Sequence, residues 1–154
     1  MKHAFLTLLL VASTGLFAQK QPDPKVAIRA VIDTFFEGMR KGDSAMVAQT
    51  LHPEADLYTT FFDSSGVPQV VSETVAGFLE AVSTPREEIW DERISNVKIQ
   101  VSDNLASVWM DYAFYVDKTL SHKGVNAIQL VFLNGSWKIL HITDTRERKE
   151  AKVD

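Results

Sequence analysis

The sequence predicts an α+β fold: a cone-shaped single domain with N-terminal helices packed on a strongly bent antiparallel sheet. Three observations carry this expectation. Apolar residues recur at helical spacing only ahead of Pro85, and from Arg93 onward the period becomes two. Asn134-Gly135, set between two alternating runs, is the strongest short hairpin signal, since both residues tolerate the positive φ angles of the tight turn.

The elements follow in order. Lys2 and His3 precede the apolar run Ala4 to Val11, and a softer stretch leads to Leu16-Phe17-Ala18, so residues 1–18 read as a signal peptide cleaved near Ala18. Export to the periplasm or beyond the cell is expected, with no membrane attachment after cleavage. Residues 19–23 form a polar linker, residues 24–146 the folded domain and residues 147–154 a charged tail. Asp23 caps a helix that has Pro24 at its first position and runs to Lys41. Ile28, Ile32, Phe35 and Met39 form its apolar stripe, while Arg29, Asp33, Glu37 and Lys41 form a solvated one. Gly42 ends this helix, and Asp43 caps a short second one through Met46, Val47 and Leu51 that stops at His52-Pro53. Ala55 to Phe62 and Val67 to Val71 read as paired strands around the turn Asp63-Ser64-Ser65-Gly66. Ser72 is the expected cap of a third helix through Val75, Phe78, Leu79 and Val82, closed by Pro85. Arg86 to Glu92 reads as a charged connection around Trp90.

Two hairpins complete the chain. With Asp103-Asn104 as a turn, Val97, Ile99 and Val101 fall opposite Met110, Val108 and Ala106 on one face, which Tyr112 and Phe114 continue. Asn134-Gly135 places Phe132 opposite Trp137, Leu130 opposite Ile139, Ile128 opposite His141 and Asn126 opposite Thr143. The reverse face then holds Lys138, Leu140, Ile142 and Asp144 together with Trp109 and Asp111. A bent sheet closed by helices would enclose a conical cavity.

Composition excludes several chemistries. The 154 residues suit one domain, and 45% hydrophobic with 23% charged is ordinary for a globular chain. With no cysteine there is no disulfide, thiolate metal site, thiol nucleophile or lipidated residue. The formal net charge of −4 argues against a nucleic-acid partner, and removal of Lys2 with the leader makes it more negative. The histidines beyond His3 show no ligand spacing, so neither a metal nor another cofactor is expected.

The order of helix, Gly42-Asp43 turn, short helix, His52-Pro53-Glu54-Ala55-Asp56, strand pair, helix and long strands ending in Gly135-Ser136-Trp137-Lys138-Ile139 resembles the nuclear transport factor 2-like superfamily. It looks most similar to small exported bacterial members labelled lumazine-binding-like, with polyketide-cyclase-like proteins in the same group. The resemblance implies the conical fold and a homodimer through the outer sheet face. It argues against ketosteroid isomerase chemistry, because the positions matching the oxyanion Tyr and the proton-taking Asp hold Phe35 and Thr59.

His141 is the polar residue of greatest interest, standing by its register where an apolar side chain belongs. It is expected either as a pocket base or as a core histidine satisfied by a backbone carbonyl. Tyr112 is its tentative catalytic partner, and Tyr58, Phe114, Asn126, His122 and Thr143 are the candidate ligand-binding residues. The leading expectation is an exported protein that binds a small apolar or aromatic ligand. Alternatives are an isomerase, dehydratase or cyclase with His141 as general base, and a protein-interaction module.

Overall fold

A computed structural model describes residues 23–148. The leader, residues 19–22 of the linker and the tail from residue 149 lie outside the described residues.

Helix α1 (Pro24–Lys41) begins as its sequence dictates, with the Asp23 carboxylate accepting from the Lys25 N–H at 2.9 Å and Pro24 in the first turn. Gly42, at φ 68°, ends it in the left-handed conformation that a β-carbon would strain. Asp43 caps the short α2 (Ser44–Ala48), which stops before Leu51, earlier than the sequence suggests. Leu51 instead opens β1 (Leu51–Phe62), with His52-Pro53 inside the strand. Pro53 is tolerated there because pairing with the neighbouring strand is interrupted between Leu51 and Asp56, where no ladder N–H is required. Strand β2 (Pro68–Glu73) returns antiparallel to β1. Thr74, two residues past the expected Ser72, caps α3 (Val75–Ser83) by accepting from the Gly77 N–H. Trp90 already belongs to β3 (Trp90–Ser102), which is followed by β4 (Leu105–Val116), β5 (Thr119–Leu133), β6 (Ser136–Thr145) and the two-residue β7 (Glu147–Arg148).

The sheet order is β2-β1-β6-β5-β4-β3, with β7 added beside β5. This corrects the expected fold in two respects. The sheet is mixed, since β1 runs parallel to β6, and it is open, with β2 and β3 left as edges rather than curled into a closed cone. Hairpin signals report only neighbours joined by tight turns. The β1–β6 pairing is made across 85 residues or more and leaves no local mark. The α+β class itself holds: helices cover one face, and Ile28, Ile32, Val47, Val108, Met110, Leu130 and Ile139, all essentially inaccessible, form the core between the layers.

Both long hairpins pair as expected near their turns and depart from expectation beyond a bulge. In β3–β4, Ile99 faces Val108 and Val101 faces Ala106, but the ladder shifts between Ser95 and Lys98, where Asn96 adopts φ 52°. In β5–β6, Phe132 pairs with Trp137 and Leu130 with Ile139, after which Gln129 pairs with His141. Leu140 is the extra residue. A slip of one position turns every later side chain to the opposite face, so Ile142 is buried in the core and Asp144 points inward, while His141 and Thr143 turn outward. Ile128 therefore pairs with Ile142 rather than His141, and Asn126 with Asp144 rather than Thr143. The charged tail also starts later than expected, because Glu147 and Arg148 pair with Lys123 and His122 of β5.

Candidate functional site

Between the helices and the inner face of the sheet lies a cavity of about 500 Å³. Its walls are largely apolar. Phe35 and Phe36 of α1 meet edge to face, and Phe78 of α3 stacks on Phe35 with ring centroids 5.7 Å apart. Helical spacing from Ile28 and Ile32 brings these phenylalanines to the sheet-facing side. Opposite them stand Trp90, Phe114 and His122. Phe114 and His122 are register partners on β4 and β5 and stack at 4.9 Å, and Trp90 meets Phe114 edge to face at 5.9 Å. The Arg86 guanidinium lies 3.7 Å from the centre of the Trp90 ring, a cation–π contact.

Several polar groups of β3, β4, β5 and β6 converge on the cavity and bond one another. Both oxygens of Asp144 accept hydrogen bonds: Oδ1 from the Thr59 hydroxyl at 2.6 Å and Oδ2 from the Tyr112 hydroxyl at 3.1 Å. The single Tyr112 proton is shared with the Thr145 carbonyl at 2.8 Å. Burial, together with the neighbouring carboxylates of Asp144 and Glu92, raises the Tyr112 pKa, so the phenol stays protonated. Gly124, opposite Tyr112 in the ladder, permits this closeness: a β-carbon there would fall 1.9 Å from the Thr145 oxygen. Asn126, 4% exposed, donates its Nδ2–H to Glu92 Oε1 at 2.7 Å. Burial pushes the Glu92 carboxyl up to about 7, a shift opposed by the Asn126 hydrogen bond and reinforced by the charge of Asp144. A carboxyl titrating near neutrality beside a cavity can accept or return a proton, or change its hydrogen-bonding character with its ligand. Arg146 completes this group. Its backbone N–H is held by the Thr60 carbonyl, and its Nε is buried without a hydrogen-bond partner among the described residues, 4.0 Å from Asp144 Oδ2.

Of the residues singled out from sequence, Tyr112, Phe114, Asn126 and His122 come together around this cavity, and Tyr58 reaches its lining. His141 and Thr143 do not. They lie on the outer face, where His141 Nε2 and Thr143 Oγ1 are 2.7 Å apart and the His141 ring stands 5.5 Å from that of Tyr58. The Leu140 bulge is the physical reason. Glu92, Asp144 and Arg146 escape the sequence reading because the first falls in the charged connection, the second on the reverse face and the third at the last position of the domain, past the final alternating run. One signal pointed to Asp144. Ile139 and Leu140 are adjacent apolar residues followed by Ile142, and that break in two-fold alternation marks the bulge that turns Asp144 inward. Among the described residues there is no group of three or more His, Asp or Glu placed to hold a metal ion, and no helix long and apolar enough to cross a membrane.

A family model described as "Putative lumazine-binding" matches residues 23–143. No curated protein matches the chain. Solved structures share the fold at low identity. An NTF2-like protein of unknown function from Shewanella baltica is 14% identical with a TM-score of 0.64, over 82% of this chain and 95% of that one. An NTF2-like protein from Cytophaga hutchinsonii is 15% identical with a TM-score of 0.66, over 82% of this chain and all of that one. A putative scytalone dehydratase from Novosphingobium aromaticivorans is 15% identical with a TM-score of 0.65, over 85% and 89% of the two chains. At such identities the likeness establishes the fold alone.

Proposed function

The chain belongs to the putative lumazine-binding family, and we propose that it binds one small, flat, largely apolar molecule in the cavity between helices and sheet. The supporting observation is the cavity itself: about 500 Å³, walled largely by aromatic and aliphatic side chains, with Glu92, Tyr112, Asn126 and Asp144 among its lining. Volumes of this size, lined by apolar side chains and a few convergent polar groups, are the usual form of small-molecule sites. Parallel ring faces at Phe114 and His122, and at Phe35 and Phe78, suit a planar ligand that stacks.

Native mass spectrometry of the purified protein tests this reading directly. A retained small molecule is expected on the unmutated chain, and Phe114→Ala, which removes one stacking wall, is expected to release it through an affinity loss of about tenfold or more. Trp90 lines the cavity, so binding should also alter tryptophan fluorescence. No retained mass, together with unchanged fluorescence across a panel of flat aromatic compounds, would overturn the proposal.

The outer sheet face fits the pairing of two copies in this reading. Trp109 is 53% exposed there beside a shallow depression that Asn96, Lys98 and Asp111 line. The patch is smaller than the sequence suggests, because Ile142 has left it for the core. Trp109→Lys is expected to convert a dimer to a monomer in light scattering at tens of micromolar, since a charge at the centre of an interface is left desolvated and unpaired. A monomeric unmutated chain under the same conditions would refute the pairing.

A further inference from the structure

One carboxyl group on the cavity lining has an open oxygen and no counter-ion. Glu92 of β3 gives Oε1 to the Asn126 amide at 2.7 Å, which satisfies that buried side chain. Its Oε2 accepts from no described residue and, unlike Arg146 Nε, is not sealed off, since the half-buried Glu92 side chain meets the cavity it lines. The other acids of the lining are engaged elsewhere. Asp144 accepts from Thr59 and Tyr112 and has Arg146 4.0 Å away, and the exposed Glu73 accepts from the Thr74 N–H at the start of α3. Among the described residues no cation forms an ion pair with Glu92. A carboxylate taken out of water without an opposite charge is unfavourable, so the proton stays on Glu92 up to about pH 7.

We propose that the missing counter-ion is the ligand's own: the cavity takes a flat aromatic molecule that carries a protonated amine, its ammonium donating to Glu92 Oε2 and its ring lying among the aromatic side chains. Trp90, two residues before Glu92 on the same strand, and Phe114, its partner across the ladder, both line the cavity, and ring faces beside a carboxylate favour an ammonium over an uncharged group. A neutral ligand would leave Glu92 protonated and gain nothing from its charge. An anion would face Glu92, Asp144 and Glu73, with Arg146 already engaged by Asp144 and closed off at Nε. At longer range the formal net charge of −4 draws cations toward the protein. The remaining titratable groups of the lining are Tyr58, Tyr112, which stays protonated, and His122, which stacks on Phe114; α1 and α3 bring only apolar side chains to it.

This inference rests on the small-molecule reading above, and the experiment separates the two. Four probes built on one ring system are titrated against the intact protein by calorimetry: naphthalene, 2-naphthylmethanol, 2-naphthylmethylammonium and 2-naphthoate. At about pH 8 the ammonium is expected to bind about tenfold or more tightly than the alcohol, the scale of a charge-assisted hydrogen bond, with 2-naphthoate weakest. The preference should shrink toward parity at about pH 5, where Glu92 keeps its proton. At about pH 6, binding of the ammonium should release a proton from Glu92, read as a heat that varies with the ionisation enthalpy of the buffer. Glu92→Gln keeps an acceptor for Asn126 and cannot ionise; it should lower ammonium affinity about tenfold at the higher pH, abolish the proton release and leave naphthalene unchanged. Equal binding of ammonium and alcohol at the higher pH, tightest binding of 2-naphthoate, or a preference that does not change with pH would show cation recognition to be wrong while the pocket stands. So would a pH-dependent preference that persists in Glu92→Gln, which would assign it to His122. If none of the four binds, the small-molecule reading fails and this inference with it.

Discussion

Gly124→Ala is expected to destabilise the fold by about 3 kcal/mol, at the upper end of what overpacking ordinarily costs. The added carbon would meet a backbone oxygen at 1.9 Å and the Tyr112 ring at 2.9 Å, neither of which is the loose end of a flexible side chain. Relief requires moving Thr145 away from β5. That movement pulls on the hydrogen bond from Tyr112 to the Thr145 carbonyl and on the Val125 N–H bond to the Thr145 hydroxyl. The same substitution should disorganise the polar groups of the cavity, because Asp144 precedes Thr145 and shares the Tyr112 proton. Denaturant unfolding would show a lower midpoint at an unchanged slope. A stability within about 0.5 kcal/mol of the parent, the range of an uneventful surface change, would show that the strand ends separate freely and that this packing is unimportant.

Glu92→Gln is expected to have the opposite sign, with a size that depends on pH. The folded protein holds the Glu92 proton up to about pH 7, against an ordinary value of 4.5, chiefly because of burial. Between those values the folded state binds more protons than the unfolded one, so the stability contributed by this group falls as pH rises from 4.5 to 7 and is constant above. At about 1.4 kcal/mol per pH unit the full penalty is about 3 kcal/mol, an upper bound because the residue is only partly buried. Glutamine cannot ionise and can keep the Asn126 hydrogen bond. The variant should therefore gain most over the parent at pH 8, with a thermal midpoint raised on the order of 5 to 10 °C, and little at pH 4. Equal gains at both pH values would show that Glu92 titrates as a solvated carboxylate.

What the sequence determines by itself is local. The boundaries of α1, the short helix after Gly42-Asp43, the turns at Asp103-Asn104 and Asn134-Gly135, and the register within a few residues of each turn follow from capping, φ preference and periodicity, all acting over a handful of residues. Phe35 could likewise be placed toward the sheet from helical spacing, and Tyr112, Phe114 and Asn126 on the inner face from alternation alone, because the bulges of their hairpins lie on the opposite strand. Tertiary structure decided the rest. One extra residue at Leu140 exchanges His141 and Thr143 for Ile142 and Asp144 at the site, and a bulge is favoured by the fit of a whole strand against both neighbours, a sum that no short window contains. The parallel pairing of β1 with β6 brings Thr59 to Asp144 across 85 residues and makes the sheet mixed and open. Glu92, Asn126 and Arg146 acquire their chemistry only where separate strands bring them together around the cavity. Burial and neighbouring charge, rather than residue type, make a carboxyl titrate near 7 and leave a guanidinium N–H unpaired.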